Sequence, residues 1–534
     1  GGFLSFLVFA PASLTAWQRG NHLNFLTIYG TLPTSSIDSQ SSRRSAQIKR
    51  FSMSKPNILF ISSDQHRADT LGCAGHPVVR TPHLDGLAYE GVRFNRAYTN
   101  CPVCIPARTS LVTGVQAHHY GMPSYNDEYR IDHPRDQFLG SLLTQGGYQT
   151  HLAGKTHWHT EPQFRGGFES VTWMSQLRRE RLIQSGRSTT LDGMGFNEMT
   201  PTLSEVPPEL QMSNWIVDRS LDFLDTRDRD QPFFLWASFQ DPHPPLSIHQ
   251  PFYDMYRDAD IPLPTIPDWC DSPQCPAGLY NHRWSWNPKP LSEPEIRDAR
   301  AIYYGMVSNL DYQLGRLFAK LQLDGDWENT VIVYTSDHGD HLGDCGDIAK
   351  STFLESSANI PLIIRPPMSE SYEKGAISDA LVDLTDLLPT FCSYGEQEVP
   401  SDIDGKDLRP VLTGDTQSIR NHLHGQIEDM HMFHNGEYKY LYFADDGSEL
   451  AFQVSKDPQD ESPITGPVLE HLRREFIQHL QSENHPHLDA DGTLLNKGKG
   501  RLPKNELAAR HILLQGLAPA AIHSDMLSRV TWIH

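Results

Sequence analysis

The 534-residue chain is short of several things, and each shortage excludes a class of protein. Cysteine is scarce and odd in number: seven residues, at 73, 101, 104, 270, 275, 345 and 392, do not make a disulfide-held scaffold. Cys270 and Cys275 lie close enough in sequence to pair, and free thiols fit the spacing equally well. Positive charge is also short, with 45 Lys and Arg against 66 Asp and Glu and a formal net charge of −21. Such a chain has no broad basic face for nucleic acid, so an anionic substrate must be caught by a local cluster of cations. No apolar run reaches the length of a transmembrane helix. There is no internal repeat, and no low-complexity tract beyond the Ser- and Arg-rich stretch from Ser35 to Arg50.

What is present is enough chain for a large α/β domain and a smaller one. Residues 1–52 differ from the rest. Phe3–Ala10 is a short apolar run followed by Ala12 and Ala16, in the manner of a signal peptide, but it lacks a basic lead and the first Met is Met53. A secretory leader, implying a secreted or periplasmic protein, and an extension with no folded role, implying a cytoplasmic one, both fit. The folded pattern begins at Pro56. Asn57–Ile61, Pro232–Phe239, Thr330–Thr335 and Ile360–Arg365 are apolar runs typical of strands buried on both faces. Val92–Tyr98 and Tyr148–Ala153 read as further strands. Helical patterns cover 81–91, 139–146, 215–226 and 292–323, the last opened by Ser292 with Glu295 three residues on. This alternation predicts an α/β fold over 53–412: a large mixed, mostly parallel sheet sandwiched by helices. Residues 160–215 have weak periodicity and read as an insertion near the site. Residues 246–292, rich in Pro, Trp and Tyr, read as a long irregular segment of the kind that carries function. Further on, Glu437–Phe443, Asp445-Asp446-Gly447 and Leu450–Val454 form a hairpin signal, followed by a helix near 468–481. Residues 413–534 therefore read as a smaller C-terminal α+β domain.

Polar residues collect just past the predicted strands, where open α/β sheets place their sites. Asp64-Gln65, Lys155-Thr156-His157, Pro242-His243 and Asp337-His338 all fall there. Cys101-Pro-Val-Cys104-Ile-Pro106-Ala-Arg108, ending in Thr113-Gly114, follows the strand at 92–98. As Cys101-x-x-Cys104 it is a redox or metal motif. As Cys104-x-Pro106-x-Arg108 it is a helix start, with Pro106 in the first turn and Gly114 at the end. Cys104 then sits just ahead of a helix N-terminus, which favours bound anions, and Arg108 adds a forked cation one turn in. Asp64 with Gln65 and Asp337 with His338 offer hard oxygen ligands for a divalent cation such as Ca²⁺ or Mg²⁺, although either Asp alone could be an ordinary helix cap.

In order along the chain, Asn57–Gln65, Cys104–Gly114, Gly154-Lys155-x-His157, Pro242-His243, Ser336–Gly339 and Lys350-x-x-x-x-Glu355 resemble the type I sulfatases of the alkaline phosphatase superfamily. The resemblance covers residues 56–412, with a weaker match at Tyr438-Lys439-Tyr440. It implies that Cys104 is oxidised to formylglycine by a formylglycine-generating enzyme and, as its hydrate, attacks sulfur. It implies that Asp64, Gln65, Asp337 and His338 ligate one Ca²⁺ per chain, or another divalent metal. Arg108 and Lys155 are then expected to hold the diol and the sulfuryl oxygens. His243, with Lys350, is expected to protonate the leaving alcohol, and His157 to take the proton that lets the intermediate collapse. The implied substrate is a sulfated small molecule or saccharide, and a homo-oligomer is compatible with the pattern. Asn126 is a further candidate for the pocket.

Two positions depart from the commoner sulfatase pattern, Gln65 in place of an Asp and His338 in place of an Asn. Gln removes a negative charge from the metal site, and His admits a softer metal. The same pair resembles the phosphonate monoester hydrolases, whereas Lys155-x-His157 resembles the sulfatases. Phosphonate or phosphodiester hydrolysis is therefore the alternative chemistry. Outside the motifs, His118-His119 and His422/His424 read as ordinary surface or hydrogen-bonded histidines. Tyr280, Trp284 and Trp286 read as loop packing, with stacking on a sugar or aromatic ring as the alternative.

Overall fold

The computed structural model describes residues 55–514 apart from 126–130, 159–163, 186–193 and 195–196, so the extension at 1–52 and Asn126 lie outside the described residues. The strands up to residue 383 are β1 (Asn57–Asp64), β2 (Val92–Phe94), β3 (Ala97–Tyr98), β4 (Gln149–Gly154), β5 (Ser170–Trp173), β6 (Thr202–Leu203), β7 (Phe233–Pro242), β8 (Ser247–Ile248), β9 (Thr330–Ser336), β10 (Leu362–Arg365), β11 (Ala376–Ser378) and β12 (Val382–Asp383). Eight of them form one sheet in the order β11-β2-β10-β9-β1-β7-β4-β5. From β9 to β5 the neighbours are parallel; β10 runs antiparallel to both β9 and β2. The expected large, mixed and mostly parallel sheet is thus present.

Strand β1 is central because every one of its residues is buried, which suits a position with neighbours on both edges and helices on both faces. Its side chains alternate. Ile58 and Phe60 point to one face with Trp236 and Val333; Leu59 and Ile61 point to the other with Leu235 and Ile332. The first face is covered by α2 (Cys104–Thr113), α3 (Leu139–Gln145) and α11 (Leu387–Tyr394), through Leu111, Leu139 and Phe391 among others. The second is covered by α1 (Pro82–Glu90), α5 (Met212–Thr226) and α9 (Glu293–Asp324), through Leu84, Trp215 and Leu314. Each such residue fully removed from water contributes about 1.5–3 kcal/mol. The start of α9 is the predicted capping box, with Ser292 and Glu295 exchanging hydrogen bonds.

Several elements differ from the sequence reading. The apolar run at 92–98 is two strands: β2 lies in the large sheet, and β3 pairs with β12 instead. Residues 160–215 are more than an insertion, since β5 is the sheet's edge strand and α4 (Met174–Ser185) follows it. The segment 246–292 is not irregular: it holds β8 and the short helices α6 (Gln250–Tyr253), α7 (Asp268–Asp271) and α8 (Ala277–Trp286). Cys270 and Cys275 are both free thiols.

Beyond α10 (Glu355–Ala358) and α12 (Arg409–Leu412), the chain forms a four-stranded antiparallel sheet, β13 (Leu423–Ile427), β14 (Met430–His434), β15 (Tyr438–Phe443) and β16 (Ser448–Gln453). The predicted hairpin is its β15–β16 half. Helix α13 (Pro467–Ser482) packs Leu472, Phe476 and Leu480 on Phe433, Tyr440 and Tyr442, and α14 (Lys504–Leu514) follows.

Candidate active site

The carboxyl ends of β4, β7, β1 and β9 lie side by side in the sheet, so the residues just past them meet. Ser63 pairs with Ser336 across β1 and β9, and a register shift after Ser62 sets Asp64 opposite Pro242 on β7. Asp64, Asp337, His243 and Lys155 therefore emerge at one rim. The last of these requires a glycine before it. Gly154 has φ +115°, and a Cβ there would lie 2.0 Å from the Ser238 carbonyl oxygen, which accepts the Lys155 amide at 2.9 Å.

Helix α2 brings Cys104 to the same rim as its first residue. Val103 precedes it in extended conformation and supplies no side-chain cap, so the first-turn amides point at the site. Gly114 closes the helix at φ +72°, as the sequence predicts. The helix is buried along its whole length, Arg108 included. The guanidinium of Arg108 is held by Asp337 Oδ2 at 2.7 Å, Ser238 Oγ at 2.9 Å, and Asp64 Oδ2 and the Ser63 carbonyl at 3.3 Å. Lys155 Nζ donates to Asp64 Oδ2 at 2.5 Å. Burial alone would raise the Asp64 carboxyl, but the cations of Lys155 and Arg108 hold it well below the usual carboxylate range.

The thiol of Cys104 lies 3.2 Å from His338 Nε2 and 3.7 Å from Asp64 Oδ1. Burial and Asp64 push it up, while the Lys350 and Lys155 cations act against them and the net direction is down. A cluster of potential metal ligands results: Asp64, Asp337, His338 and Cys104 have donor atoms within 4.8 Å of one another. The donor set fits a divalent cation. Both aspartates are buried, and His338 Nδ1 donates to the Gly339 carbonyl at 3.0 Å, which leaves the Nε2 lone pair facing the cluster. Gln65 is engaged differently: its Oε1 accepts from Lys350 Nζ at 2.7 Å, and its Nε2 donates to Asp340 Oδ2.

On the far side of Lys350, Nζ also donates to His243 Nε2 at 2.7 Å, while His243 Nδ1 donates to the Pro244 carbonyl at 2.6 Å. Burial, reinforced by Lys350, keeps the His243 imidazole neutral by holding its pKa well below the usual value. His157 is likewise held far down, by burial and Lys155, and its buried Nδ1 has no partner.

The structure thus gathers Asp64, Gln65, Cys104, Arg108, Lys155, His243, Asp337, His338 and Lys350 into one contact network, with His157 two residues past Lys155. Glu355 lies elsewhere, bonded to Tyr98 and Lys439. Cys101 is fully buried in an apolar cluster with Phe353 and Leu381, away from the dithiol role. Tyr280 and Trp284 are covered by Arg501 and Lys504, the ammonium of Lys504 lying 3.2 Å from the Trp284 ring centre, so they act as packing. The sequence reading missed Ser238 and Asp340. Asp340 stands three residues past Asp337 in the same loop, a usable signal; Ser238 lies inside an apolar run and carries none.

Comparisons with known proteins identify the family. The Sulfatase family profile matches residues 56–395. The chain is 29% identical over 485 residues to an arylsulfatase of Clostridium perfringens, covering 83% of this chain and 98% of that one. It is equally 29% identical over 505 residues to a multifunctional alkaline phosphatase superfamily protein of Trinickia caryophylli, covering 82% and 96%. Among solved structures, the phosphonate monoester hydrolase of Agrobacterium radiobacter superposes with a TM-score of 0.70 at 25% identity, covering 81% of this chain and 96% of that one. A family match over most of the large-sheet region, on a chain whose cysteine, arginine, lysine and aspartates meet at one sheet rim, places this chain in the type I sulfatase family of the alkaline phosphatase superfamily, as a hydrolase of sulfuric esters.

Proposed function

We propose that the chain cleaves a sulfate ester with Cys104 in formylglycine form and a divalent cation held by Asp64, Asp337 and His338, Ca²⁺ by its two carboxylates. The observation that carries the reading is the buried meeting of Cys104 with that acidic cluster and with Arg108 and Lys155. The cation supplies charge neutralisation at the transferring group, and the modified residue supplies an oxygen nucleophile. The protein's own residues then have distinct tasks. Arg108, fixed by Asp337, Ser238 and Ser63, and Lys155 present pre-oriented positive charge to the sulfuryl oxygens. Lys350 holds a proton against His243 Nε2, so the pair can pass a proton to the departing alcohol oxygen at that atom. His157, neutral and with a free ring nitrogen, can accept the proton released when the ester to the enzyme collapses. Gln65 serves here as the acceptor that positions Lys350.

Phosphonate monoester hydrolysis is the second reading, favoured by Gln65 and His338 and by the fold match at a TM-score of 0.70. One experiment addresses both. Trypsin releases Ala97–Arg108; in active enzyme this peptide is expected to carry an aldehyde in place of the Cys104 thiol and to react with an aldehyde probe. A fully thiol peptide in active enzyme refutes the mechanism. On the same sample, faster turnover of an aryl phosphonate monoester than of the matching aryl sulfate would reverse the order of the two readings.

A further inference from the structure

Away from the sheet rim, a second group of ionisable side chains converges from three separate parts of the chain. His118 lies in the turn after α2, His424 on β13, His479 on α13, and Glu483 directly after α13. Imidazole nitrogens surround the Glu483 carboxylate. Oε2 is 3.5 Å from His424 Nδ1 and 3.6 Å from His118 Nε2, and Oε1 is 3.3 Å from His479 Nε2. The His424 ring centre is 4.7 Å from that of His118 and 4.8 Å from that of His479.

None of these contacts is a hydrogen bond. His118 Nε2, His424 Nδ1, His479 Nε2 and Glu483 Oε2 are all buried and all lack a hydrogen-bond partner. Native interiors rarely leave such atoms unsatisfied, since each one costs about 1–3 kcal/mol. Four of them facing each other is therefore not an ordinary histidine network. His424, His479 and Glu483 offer ligand atoms all within 4.8 Å of one another, and His118 approaches the same carboxylate as part of a second such group. The contacts to Glu483, at 3.3, 3.5 and 3.6 Å, are close to the separation of about 3.3–3.5 Å between neighbouring ligands around a tetrahedral Zn²⁺.

The other ring nitrogens of His424 and His479 are arranged to support that role. His424 Nε2 is 3.1 Å from His431 Nδ1, and His431 Nε2 is 2.6 Å from His487 Nδ1. Protons placed on the two Nε2 atoms satisfy both bonds and leave the His424 Nδ1 lone pair free. His479 Nδ1 is similarly 3.2 Å from His422 Nε2. Metal-bound histidines typically carry such outer hydrogen bonds, which fix tautomer and ring orientation. Burial also favours the neutral, metal-binding form of two of these histidines, with His424 well below the usual imidazole range and His479 brought down to about 4. His119, 3.9 Å from Glu483 Oε1, is instead held by Asp404 at 2.8 Å.

We propose that His118, His424, His479 and Glu483 form a binding site for one transition-metal ion, Zn²⁺ by its donor set, distinct from the catalytic cation. Four protein ligands close the shell, which makes the site structural. It ties the segment after α2, the helix bearing Cys104 and Arg108, to the C-terminal sheet and α13. The proposal stands independently of the mechanism at Cys104.

The test uses the full chain, purified without a histidine tag and dialysed after loading with Zn²⁺ or Co²⁺. One tightly held zinc per chain is expected by elemental analysis, and the Co²⁺ form is expected to show the intense visible absorption of tetrahedral cobalt. Glu483→Gln and His479→Gln should both abolish these signals, whereas Asp337→Asn, which disrupts the catalytic cluster, should keep them. Stripping the metal should lower the unfolding temperature of wild type. Failure of wild type and Asp337→Asn to retain either metal overturns the proposal even if the other variants do not fold. Retention unchanged in Glu483→Gln and His479→Gln, or lost only in Asp337→Asn, overturns it as well.

Discussion

Replacing Lys439 with Met tests how the C-terminal sheet is joined to the catalytic part of the chain. Lys439 lies on β15 with its side chain fully buried, and Nζ donates to Glu355 Oε1 at 2.7 Å and to Asp460 Oδ2 at 2.9 Å, both carboxylates being 10% exposed or less. Met fills the same volume but leaves two buried carboxylates without a cation. Two charge-assisted hydrogen bonds at about 1.5–3 kcal/mol each give about 3–6 kcal/mol, in line with the 3–5 kcal/mol typical when one member of a buried pair is removed. The expected loss is therefore about 4 kcal/mol at pH 8, read from urea unfolding followed by tryptophan fluorescence. The loss should depend on pH in a defined direction. Burial already raises the Asp460 carboxyl to about 6 with Lys439 in place, and without the cation it rises further. Below that range Asp460 is protonated and no longer repels Glu355, so the loss should shrink at pH 5.5. Lys439→Met with Asp460→Asn should recover much of the stability at pH 8. A loss under about 1 kcal/mol at pH 8, or one that grows as pH falls, refutes the reasoning.

Three further outcomes follow from particular distances. Gly154→Ala should destabilise the protein by more than about 2 kcal/mol and lower turnover, because the new Cβ meets the Ser238 carbonyl and displaces Lys155; unchanged urea midpoint and activity would contradict the close approach. His243→Asn should slow hydrolysis of an alkyl sulfate by about 10²–10⁴-fold and of a nitrophenyl sulfate far less, since only the poor leaving group needs a proton; equal losses would remove His243 from the leaving-group side. Burial raises the Asp311 carboxyl from 3.8 to about 7 against its hydrogen bonds from the His83 and Leu84 amides. The folded chain then keeps a proton that the unfolded chain releases, so this group makes stability fall as pH rises from about 4 to about 7. Asp311→Asn should flatten that slope in urea titrations, and an unaltered slope would count against it.

Much of the fold was legible because long apolar runs have few alternatives to a buried strand. Asn57–Ile61 and Thr330–Thr335 became the adjacent central strands β1 and β9, and Ser292 with Glu295 became a capping box. The runs did not disclose direction, so the antiparallel insertion of β10 was not visible. Neither were β13 and β14, where Leu423–Ile427 and Met430–His434 intersperse histidine with apolar residues and lack the usual strand composition. Those histidines are buried because neighbouring imidazoles satisfy part of their polarity, a property of pairs and not of single positions. In the same way, Lys439 is an ordinary residue in sequence and a buried cation between two acids in space.

At the rim of the large sheet, sequence alone named the side chains proposed to carry chemistry: Cys104, Arg108, Lys155, His243, Asp337 and their neighbours follow one another in a fixed order of motifs. It also put Gln65 at a position of the proposed metal corner where the resembled family more often has an acid. Tertiary structure decided what that glutamine does, turning it towards Lys350 and Asp340, because hydrogen-bond partners are chosen by distance and the three residues are brought together only by the sheet. It also decided that His118, His424, His479 and Glu483 meet at all. Ligand geometry depends on separations of a few ångströms between atoms, and residues hundreds of positions apart acquire those separations only when the chain has folded.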